Sequence, residues 1–227
     1  MSARDKILGR VRKSLGVTAG DPARIAAVGQ RIAQHPATMI PERGAREGEA
    51  LFAQFKALLE DQQTTVIEVA APADVPAAVA RYVDSLGDAA GRPPAIRMGY
   101  DARLAAMPWD DLIGIAVFTG AAEAGDRTGL SHAIAGISET GTLVIAAGRD
   151  NPVTLAFMPE NHIIVVERSS ILGSYEAAIA QVRASFGATA MPRTLNFISG
   201  PSRTADIGGR IVIGAHGPRR LAVVVVA

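Results

Sequence analysis

Apolar residues recur at helical spacing through the first quarter of the chain. A first stripe is followed by Gly16, a residue type that often ends a helix, and a second, shorter stripe precedes Pro36 and Pro41. The first two stripes are narrow and flanked by charge, so these helices either pack on the main body, the expected arrangement, or reach a partner. The pattern predicts three helices with apolar positions Ile7, Leu8, Val11 and Leu15; Ile25, Val28 and Ile32; and Leu51, Phe52, Phe55, Leu58 and Leu59.

From about residue 64 the pattern changes to short apolar runs that alternate with helical stripes. The runs lack polar alternation, which is typical of strands covered on both faces. Asp74 is a candidate cap for one helix, and Gly87 and Gly187 are candidate helix ends. Strands that alternate with helices indicate an α/β fold with an open, mostly parallel sheet flanked by helices. The predicted strands are 64–69, 95–98, 113–118, 142–146, 162–166, 195–198 and 221–226, and the predicted helices 75–86 and 175–186.

The segment from Thr140 to Val166 contains two predicted strands without a crossover helix between them. Parallel neighbours need a long crossover, whereas antiparallel neighbours do not. An inserted antiparallel hairpin is therefore expected here.

The composition limits the classes of function. The 227 residues are 48% hydrophobic, enough for a sizeable core, and contain no cysteine. Disulfides and thiolate-held zinc or iron–sulfur clusters are thereby excluded within these residues. The formal net charge of +1 does not support nucleic-acid binding by charge alone. No apolar run is long enough for a membrane span and the N-terminus lacks the apolar core of a signal peptide, so the expected location is the cytoplasm.

One candidate for chemistry is Glu139, in the run from Gly136 to Thr142 directly before a predicted strand. A carboxylate beside a glycine, which lets a ligand approach the backbone closely, suits a general base or a nucleophile. The alternative is a tight turn in which Glu139 is merely solvated. The residues favour neither interpretation.

A second candidate is the polar run from Ser199 to Asp206, which follows a predicted strand. Its backbone N–H groups and hydroxyls, together with Arg203, are suited to holding a phosphate or a carboxylate. Asp206 is in a position to orient Arg203 or to cap a helical turn. The run does not have the spacing of a P-loop. The alternative is a capped helix start with a surface arginine.

A third candidate is His216, between Gly214 and Pro218. Flanking glycines leave it accessible as a proton shuttle or as a donor to an anion, the alternative being a turn histidine bonded to the backbone. The other histidines, His35, His132 and His162, lack the spacing of metal ligands. Asp126 and Arg127, near His132 in the glycine-rich loop 121–135, are weaker candidates for the border of the same cleft.

Four motifs occur in an order that resembles a known family. They look like those of the lactate utilisation protein C family, the single-domain members of the lactate-utilisation (LUD) domain group. The resemblance covers residues 45–227, which predicts a helical extension over 1–44 and an α/β lactate-utilisation domain over 45–227. The motifs are Glu139-Thr140-Gly141-Thr142-Leu143-Val144, Met158-Pro159-Glu160-Asn161-His162, Ser199-Gly200-Pro201-Ser202-Arg203-Thr204-Ala205-Asp206-Ile207 and His216-Gly217-Pro218.

The resemblance implies a fold similar to the group of ribose-phosphate isomerase, glucosamine-phosphate deaminase and CoA-transferase. It also implies a role in oxidising L-lactate to pyruvate beside two iron–sulfur partner proteins. Because these residues include no cysteine, we expect no cofactor in this chain and a non-redox subunit that binds a small carboxylate. The candidate ligand-binding residues are Thr140, Gly141, Thr142, Ser199, Gly200, Ser202, Arg203, Thr204 and Gly217, and the candidate catalytic residues are Glu139, His216 and Asp206.

A looser resemblance suggests a different function. The run Ser138-Glu139-Thr140-Gly141 is similar to the Ser-Glu-Asn-Gly motif around the glutamate nucleophile of CoA-transferases, with Thr140 in place of the asparagine. The alternative is therefore an independent enzyme acting on a phosphorylated or CoA-linked metabolite, with Glu139 as base or nucleophile and His216 as acid. Whether the chain catalyses a reaction alone stays open at this point, and a homo-oligomer is compatible with the sequence.

Overall fold

The chain divides into two units, residues 1–39 and residues 40–227. The structure, a computed structural model, describes residues 2–36, 39–87, 91, 93–187, 190–207 and 210–227, without the side chains of residues 206 and 207. The boundary between the units lies a few residues before the one predicted from the sequence, which separates 1–44 from 45–227.

The N-terminal unit consists of two capped helices, α1 (Ala3–Leu15) and α2 (Pro22–Gln34). The Ser2 hydroxyl accepts from the Asp5 backbone N–H at 3.1 Å, and Gly16 ends α1 in the left-handed conformation with φ 63°. Asp21 Oδ1 accepts from the Ala23 backbone N–H at 3.0 Å and so caps α2. The predicted helical extension is confirmed. No residue of either helix is buried, and the apolar stripes are exposed.

The central layer of residues 40–227 is a six-stranded sheet. Its strands are β1 (Thr65–Val69), β2 (Ala95–Met98), β3 (Ala116–Thr119), β4 (Thr128–His132), β7 (Asn161–Glu167) and β12 (Arg220–Val226). They lie in the order β1-β12-β7-β4-β2-β3, and all neighbours are parallel. The predicted open, mostly parallel sheet is confirmed. The prediction for 113–118 was early, because Gly114 has φ 84° and interrupts the extended backbone before β3.

A second sheet has four strands: β5 (Ala135–Ile137), β6 (Thr142–Ala146), β8 (Ile171–Leu172) and β9 (Leu195–Ile198). The expected hairpin between 142–146 and 162–166 is wrong. β6 instead pairs antiparallel with β5 and β9, and β7 joins the other sheet. Residues 147–160 are long enough to carry the chain from one layer to the other. A separate antiparallel pair is formed by β10 (Arg203–Ile207) and β11 (Arg210–Ile213).

Helices and sheets stack in layers around these strands. The remaining helices are α3 (Gly48–Asp61), α4 (Val75–Leu86), α5 (Ala102–Ala105) and α6 (Tyr175–Phe186). In β7, Ile163 and Val165 pack with α4, whereas Ile164 and Val166 pack with α3 and β6. The other face of the second sheet packs on α6. One face of the central sheet is thus covered largely by a second sheet, and the gap between the sheets holds the candidate site.

Candidate functional site

A cavity of about 530 Å³ lies where the second sheet meets the amino ends of β7 and β12. It brings together six residues that the sequence predicts as functional, from the two motifs near the C-terminal end of the sequence: Ser199, Gly200, Ser202, Arg203, His216 and Gly217. The other lining residues are Ala156, Phe157, His162, Leu195, Asn196, Phe197, Ile198, Pro201, Pro218 and Leu221.

Backbone hydrogen bonds tie the two predicted segments to each other. The Ser202 N–H donates to Pro218 O and the Gly214 N–H donates to Ser202 O, each at 2.9 Å. Gly200 has φ 102°, and a Cβ there would lie 2.8 Å from the Gln62 Cβ, so glycine permits the loop to pass against the end of α3. The sequence identified both segments, whereas only the structure shows that they form one wall.

Arg203 lies at the mouth of the cavity and also supports α3. Its Nη2 donates to Gln62 O at 2.8 Å and to Gln63 Oε1 at 2.9 Å. Gln62 is the C-terminal cap residue of α3, where a cation interacts favourably with the helix dipole. Arg203 is the only Arg, Lys, Asp or Glu among the described residues that line the cavity. The mouth therefore carries positive charge.

His162 and Asn196 line the cavity as well, and the sequence analysis missed both as functional residues. His162 is 1% exposed, and its Nε2 lies 3.0 Å from Ser131 Oγ. Burial lowers the pKa of His162 to about 3, so the ring is neutral. Both residues stand out in the sequence, because each is a polar side chain directly beside the apolar residues of its strand.

A cluster of hydroxyls stands behind the cavity wall. Thr142 Oγ1 lies 2.6 Å from Ser199 Oγ and 2.7 Å from Thr140 Oγ1. The Tyr175 hydroxyl is 3.2 Å from Thr142 Oγ1 and 3.3 Å from Thr140 Oγ1. The predicted residues Thr140 and Thr142 thus contact the cavity only through Ser199. Tyr175, which the sequence placed simply in a helical stripe, completes the cluster.

Glu139 lies away from the cavity, at the amino end of α6. It is 7% exposed; Oε1 accepts from the Tyr175 backbone N–H at 2.9 Å, and Oε2 is 3.9 Å from Arg43 Nε. A carboxylate is favourable at this end of the helix dipole. Gly141 packs on α3, because a Cβ there would lie 2.8 Å from the Leu58 Cβ. Of the alternative given for this run, the tight turn is present between β5 and β6, but a solvated Glu139 is wrong, because Glu139 is buried and hydrogen-bonded.

Thr204, another predicted residue, does not line the cavity in the described structure. It lies in β10, opposite Val212. The Asp206 side chain lies outside the described residues. The predicted capped helix start at 199–206 is wrong, because the chain forms β10 from Arg203 onwards.

The expected loop 121–135 contains a central strand. Residues Thr128–His132 form β4, buried throughout between β2 and β7. Asp126 pairs with Arg97 and Arg127 with Glu160. Asp126 and Arg127 line a different cavity, of about 600 Å³, at the amino ends of β2, β3 and β4. They do not border the cleft that contains His216.

No group of three or more His, Asp or Glu side chains is arranged to hold a metal ion in the described part of the chain. None of the described helices is both long enough and apolar enough to cross a membrane.

Comparisons with known proteins match the region that contains the cavity. Residues 122–226 match the LUD domain. A lactate utilization protein C from Geobacillus thermodenitrificans is 31% identical over 119 residues, which cover 52% of this chain and 49% of that protein. An uncharacterized protein from Neisseria meningitidis is 35% identical over 98 residues, 43% of this chain and 41% of that protein. The chain spans about half the length of the curated relatives it matches.

A solved structure extends the similarity to most of the fold. The crystal structure of a DUF162 family protein from Deinococcus radiodurans has a TM-score of 0.58 and 26% sequence identity, and the match covers 78% of this chain and 96% of that one. The resemblance to the lactate-utilisation domain family that the motifs predict is confirmed.

Proposed function

We propose, with the lactate-utilisation domain as the premise, that this chain is a non-redox subunit for the utilisation of L-lactate and binds a small carboxylate in the 530 Å³ cavity. The observation that carries the proposal is the convergence of Ser199, Ser202, Arg203 and His216 on one cavity wall. These residues come from the two most distinctive motifs of the sequence. A cavity of this size is in the range of small-molecule sites, about 300–1,000 Å³.

The charge at the cavity supports an anionic ligand. Arg203 provides a permanent positive charge, and the described lining residues include no carboxylate that would oppose an anion. Hydroxyls at Ser199 and Ser202 add donors that are suited to carboxylate oxygens. A small carboxylate such as lactate or pyruvate matches this chemistry.

The composition bears on which protein carries the redox centre and which binds the ligand. Oxidation of lactate to pyruvate releases two electrons, which a redox centre must accept. These 227 residues contain no cysteine and hence no thiolate to hold an iron–sulfur cluster. The resemblance to lactate utilisation protein C implies iron–sulfur partner proteins, and to these we assign electron transfer, with ligand binding assigned to this chain.

The alternative, an independent enzyme with Glu139 as base or nucleophile, gains less support from the geometry. Both oxygens of Glu139 face groups that hold the fold, the amino end of α6 and Arg43. Glu139 is also absent from the residues that line the cavity, where the substrate of such an enzyme would be expected to bind.

Calorimetric titration of the purified protein with L-lactate, pyruvate and acetate tests the proposal. We expect saturable binding of a small carboxylate, weakened about tenfold or more in Arg203→Met through loss of a charged hydrogen-bond donor. Arg210→Met is the matched control, since Arg210 is exposed on the neighbouring strand β11. Urea unfolding of Arg203→Met checks that the lost contacts to Gln62 and Gln63 have not unfolded the chain. Absence of binding to the wild-type protein would overturn the proposal.

A further inference from the structure

Two buried polar atoms in the cavity wall have no hydrogen-bond partner among the residues that the structure describes. They are Nδ1 of His162 and Nδ2 of Asn196. The residues are 1% and 9% exposed, so solvent at the surface does not satisfy these atoms. An unpaired buried polar atom is costly in free energy and is rare in folded proteins. Two such atoms in the wall of one cavity therefore indicate a place where a ligand binds.

The strand register directs both side chains into the space between the two sheets. His162 lies on the same side of β7 as Ile164 and Val166, which pack against the second sheet. Asn196 is the partner of Ile145 in the β9–β6 ladder, and Ile145 belongs to the same apolar cluster. The two unpaired atoms therefore come from opposite walls of one cavity.

Ser131 determines which nitrogen of His162 carries the hydrogen. Its Oγ is buried and lies 3.0 Å from His162 Nε2, which is the only hydrogen-bond partner of this hydroxyl within the described part of the chain. If Nε2 carried the hydrogen, the serine hydroxyl would be left as a buried donor without an acceptor. The satisfied arrangement has the Ser131 hydroxyl donating to Nε2, and the hydrogen of the neutral ring then resides on Nδ1.

We infer that the buried end of the cavity is a subsite for an acceptor oxygen of the ligand, to which His162 Nδ1–H and Asn196 Nδ2–H both donate. This inference rests on the proposed function, since it concerns the same cavity. Two neutral donors bind a carbonyl or carboxylate oxygen without a buried counter-charge. The Arg203 guanidinium at the mouth then interacts with the remaining anionic group.

The chemistry of the subsite distinguishes a 2-oxo acid from a 2-hydroxy acid. A keto oxygen accepts from both donors at once. A hydroxyl brings a hydrogen of its own, which neither of these two N–H groups can accept. The subsite therefore favours the oxidised acid, so this chain binds the product of lactate oxidation in preference to the substrate.

Titration of the full chain with pyruvate, L-lactate and propionate tests the ligand class. We expect the wild-type protein to bind pyruvate about five- to tenfold more tightly than L-lactate, and propionate, which lacks the second oxygen, more weakly still. Asn196→Leu should weaken pyruvate binding about tenfold, and Asn196→Asp, which places a carboxylate beside the ligand, should abolish it. Lactate binding equal to or tighter than pyruvate binding overturns the preference.

The same titrations separate this inference from the proposed function. If both Asn196 variants bind pyruvate like the wild type while Arg203→Met binds it weakly, the subsite is refuted and the carboxylate cavity stands. If no carboxylate binds the wild-type protein, both are refuted.

Nitrogen NMR of the histidine rings gives a readout that does not depend on ligand. The chain has four histidines, and the spectrum of His162→Asn assigns the signal of His162 by its disappearance. We expect the Nδ1–H tautomer, converted to a mixture in Ser131→Ala, and a change at Nδ1 when pyruvate is added. A dominant Nε2–H tautomer in the wild-type protein contradicts the inference.

Discussion

At the scale of single residues, His162 shows how burial determines chemistry. The side chain is almost fully buried in the inter-sheet space, and its Nε2 lies 3.0 Å from the neutral hydroxyl of Ser131. Burial disfavours the positively charged ring and lowers the pKa of His162 to about 3. The ring is therefore a neutral hydrogen-bonding group near pH 7, unlike the proton shuttle expected of the exposed His216.

The lowered pKa of His162 predicts a pH dependence of stability. The pKa of His162 is about 3 in the folded state, against 6.5 for an ordinary histidine, so between these pH values the unfolded chain binds the extra proton. The free energy of unfolding then falls as the pH falls from about 6.5 towards 3, by up to about 1.4 kcal/mol per pH unit. His162→Gln should flatten this slope in urea unfolding between pH 7 and 4.5.

His35→Gln is the control for this prediction, since His35 is an exposed residue at the end of α2. It should leave the slope as in the wild-type protein. The same slope in His162→Gln as in His35→Gln would mean that His162 is not held neutral by burial.

At the scale of elements, the amino end of α6 explains Glu139. The Ser174 hydroxyl accepts from the Ala177 backbone N–H at 3.3 Å. Glu139 accepts from the backbone N–H of Tyr175, the first residue of α6. Two of the unpaired N–H groups at the start of the helix are thereby satisfied. The Ser138–Gly141 motif resembles a catalytic turn in sequence. In the structure its Glu139 caps α6, which begins beside the hydroxyl cluster.

Substitution of Glu139 should therefore reduce stability. Glu139→Ala is expected to lower the free energy of unfolding by about 1–2 kcal/mol, through loss of the cap and of the charge at the helix dipole. Glu139→Gln keeps an acceptor and should lose less. Urea unfolding measures both. Glu47→Ala is the control, because Glu47 precedes α3 without a side-chain capping bond.

The opposite result would favour the enzyme hypothesis. If Glu139→Ala were as stable as Glu47→Ala, the carboxylate would have no structural role, and its burial would need a functional explanation.

At the scale of the whole molecule, the two units differ in how their apolar residues are used. In residues 40–227 the apolar positions form three buried clusters between the layers. In α1 and α2 no residue is buried, although both helices are capped at each end. Burial of apolar area is the main source of folding free energy, and the three clusters consist of residues from 40–227 alone, so we expect this unit to be stable by itself.

Removal of residues 1–39 tests this expectation. A chain that begins at Ile40 should unfold within about 2 °C of the full chain, a shift below about 1 kcal/mol for a domain of this size. Thermal unfolding followed by circular dichroism measures it, with the titration against pyruvate as a check on the cavity. A fall of more than about 4 °C would show that the first unit stabilises the second.

The sequence by itself determined the helices other than the short α5, most strands of the central sheet and the two segments that form the cavity wall. Local signals suffice for these features: β-branched runs predict β1, β7 and β12, and glycines mark the ends of α1, α4 and α6. The ordered motifs also predicted the similarity to the lactate-utilisation domain, which residues 122–226 match. It missed β4, because Thr-Gly-Leu-Ser-His has neither a long apolar run nor alternation.

Only the tertiary structure decided which motifs meet. Ser199, Arg203 and His216 share a cavity, whereas Glu139, which is equally suggestive in sequence, caps a helix. Only the structure placed His162 and Asn196 in the same space, because the packing of one sheet on another brings together residues that are remote in the chain. Local residue patterns carry propensity and polarity, but the partner of a buried polar atom depends on which layers pack together, and that is a property of the whole fold.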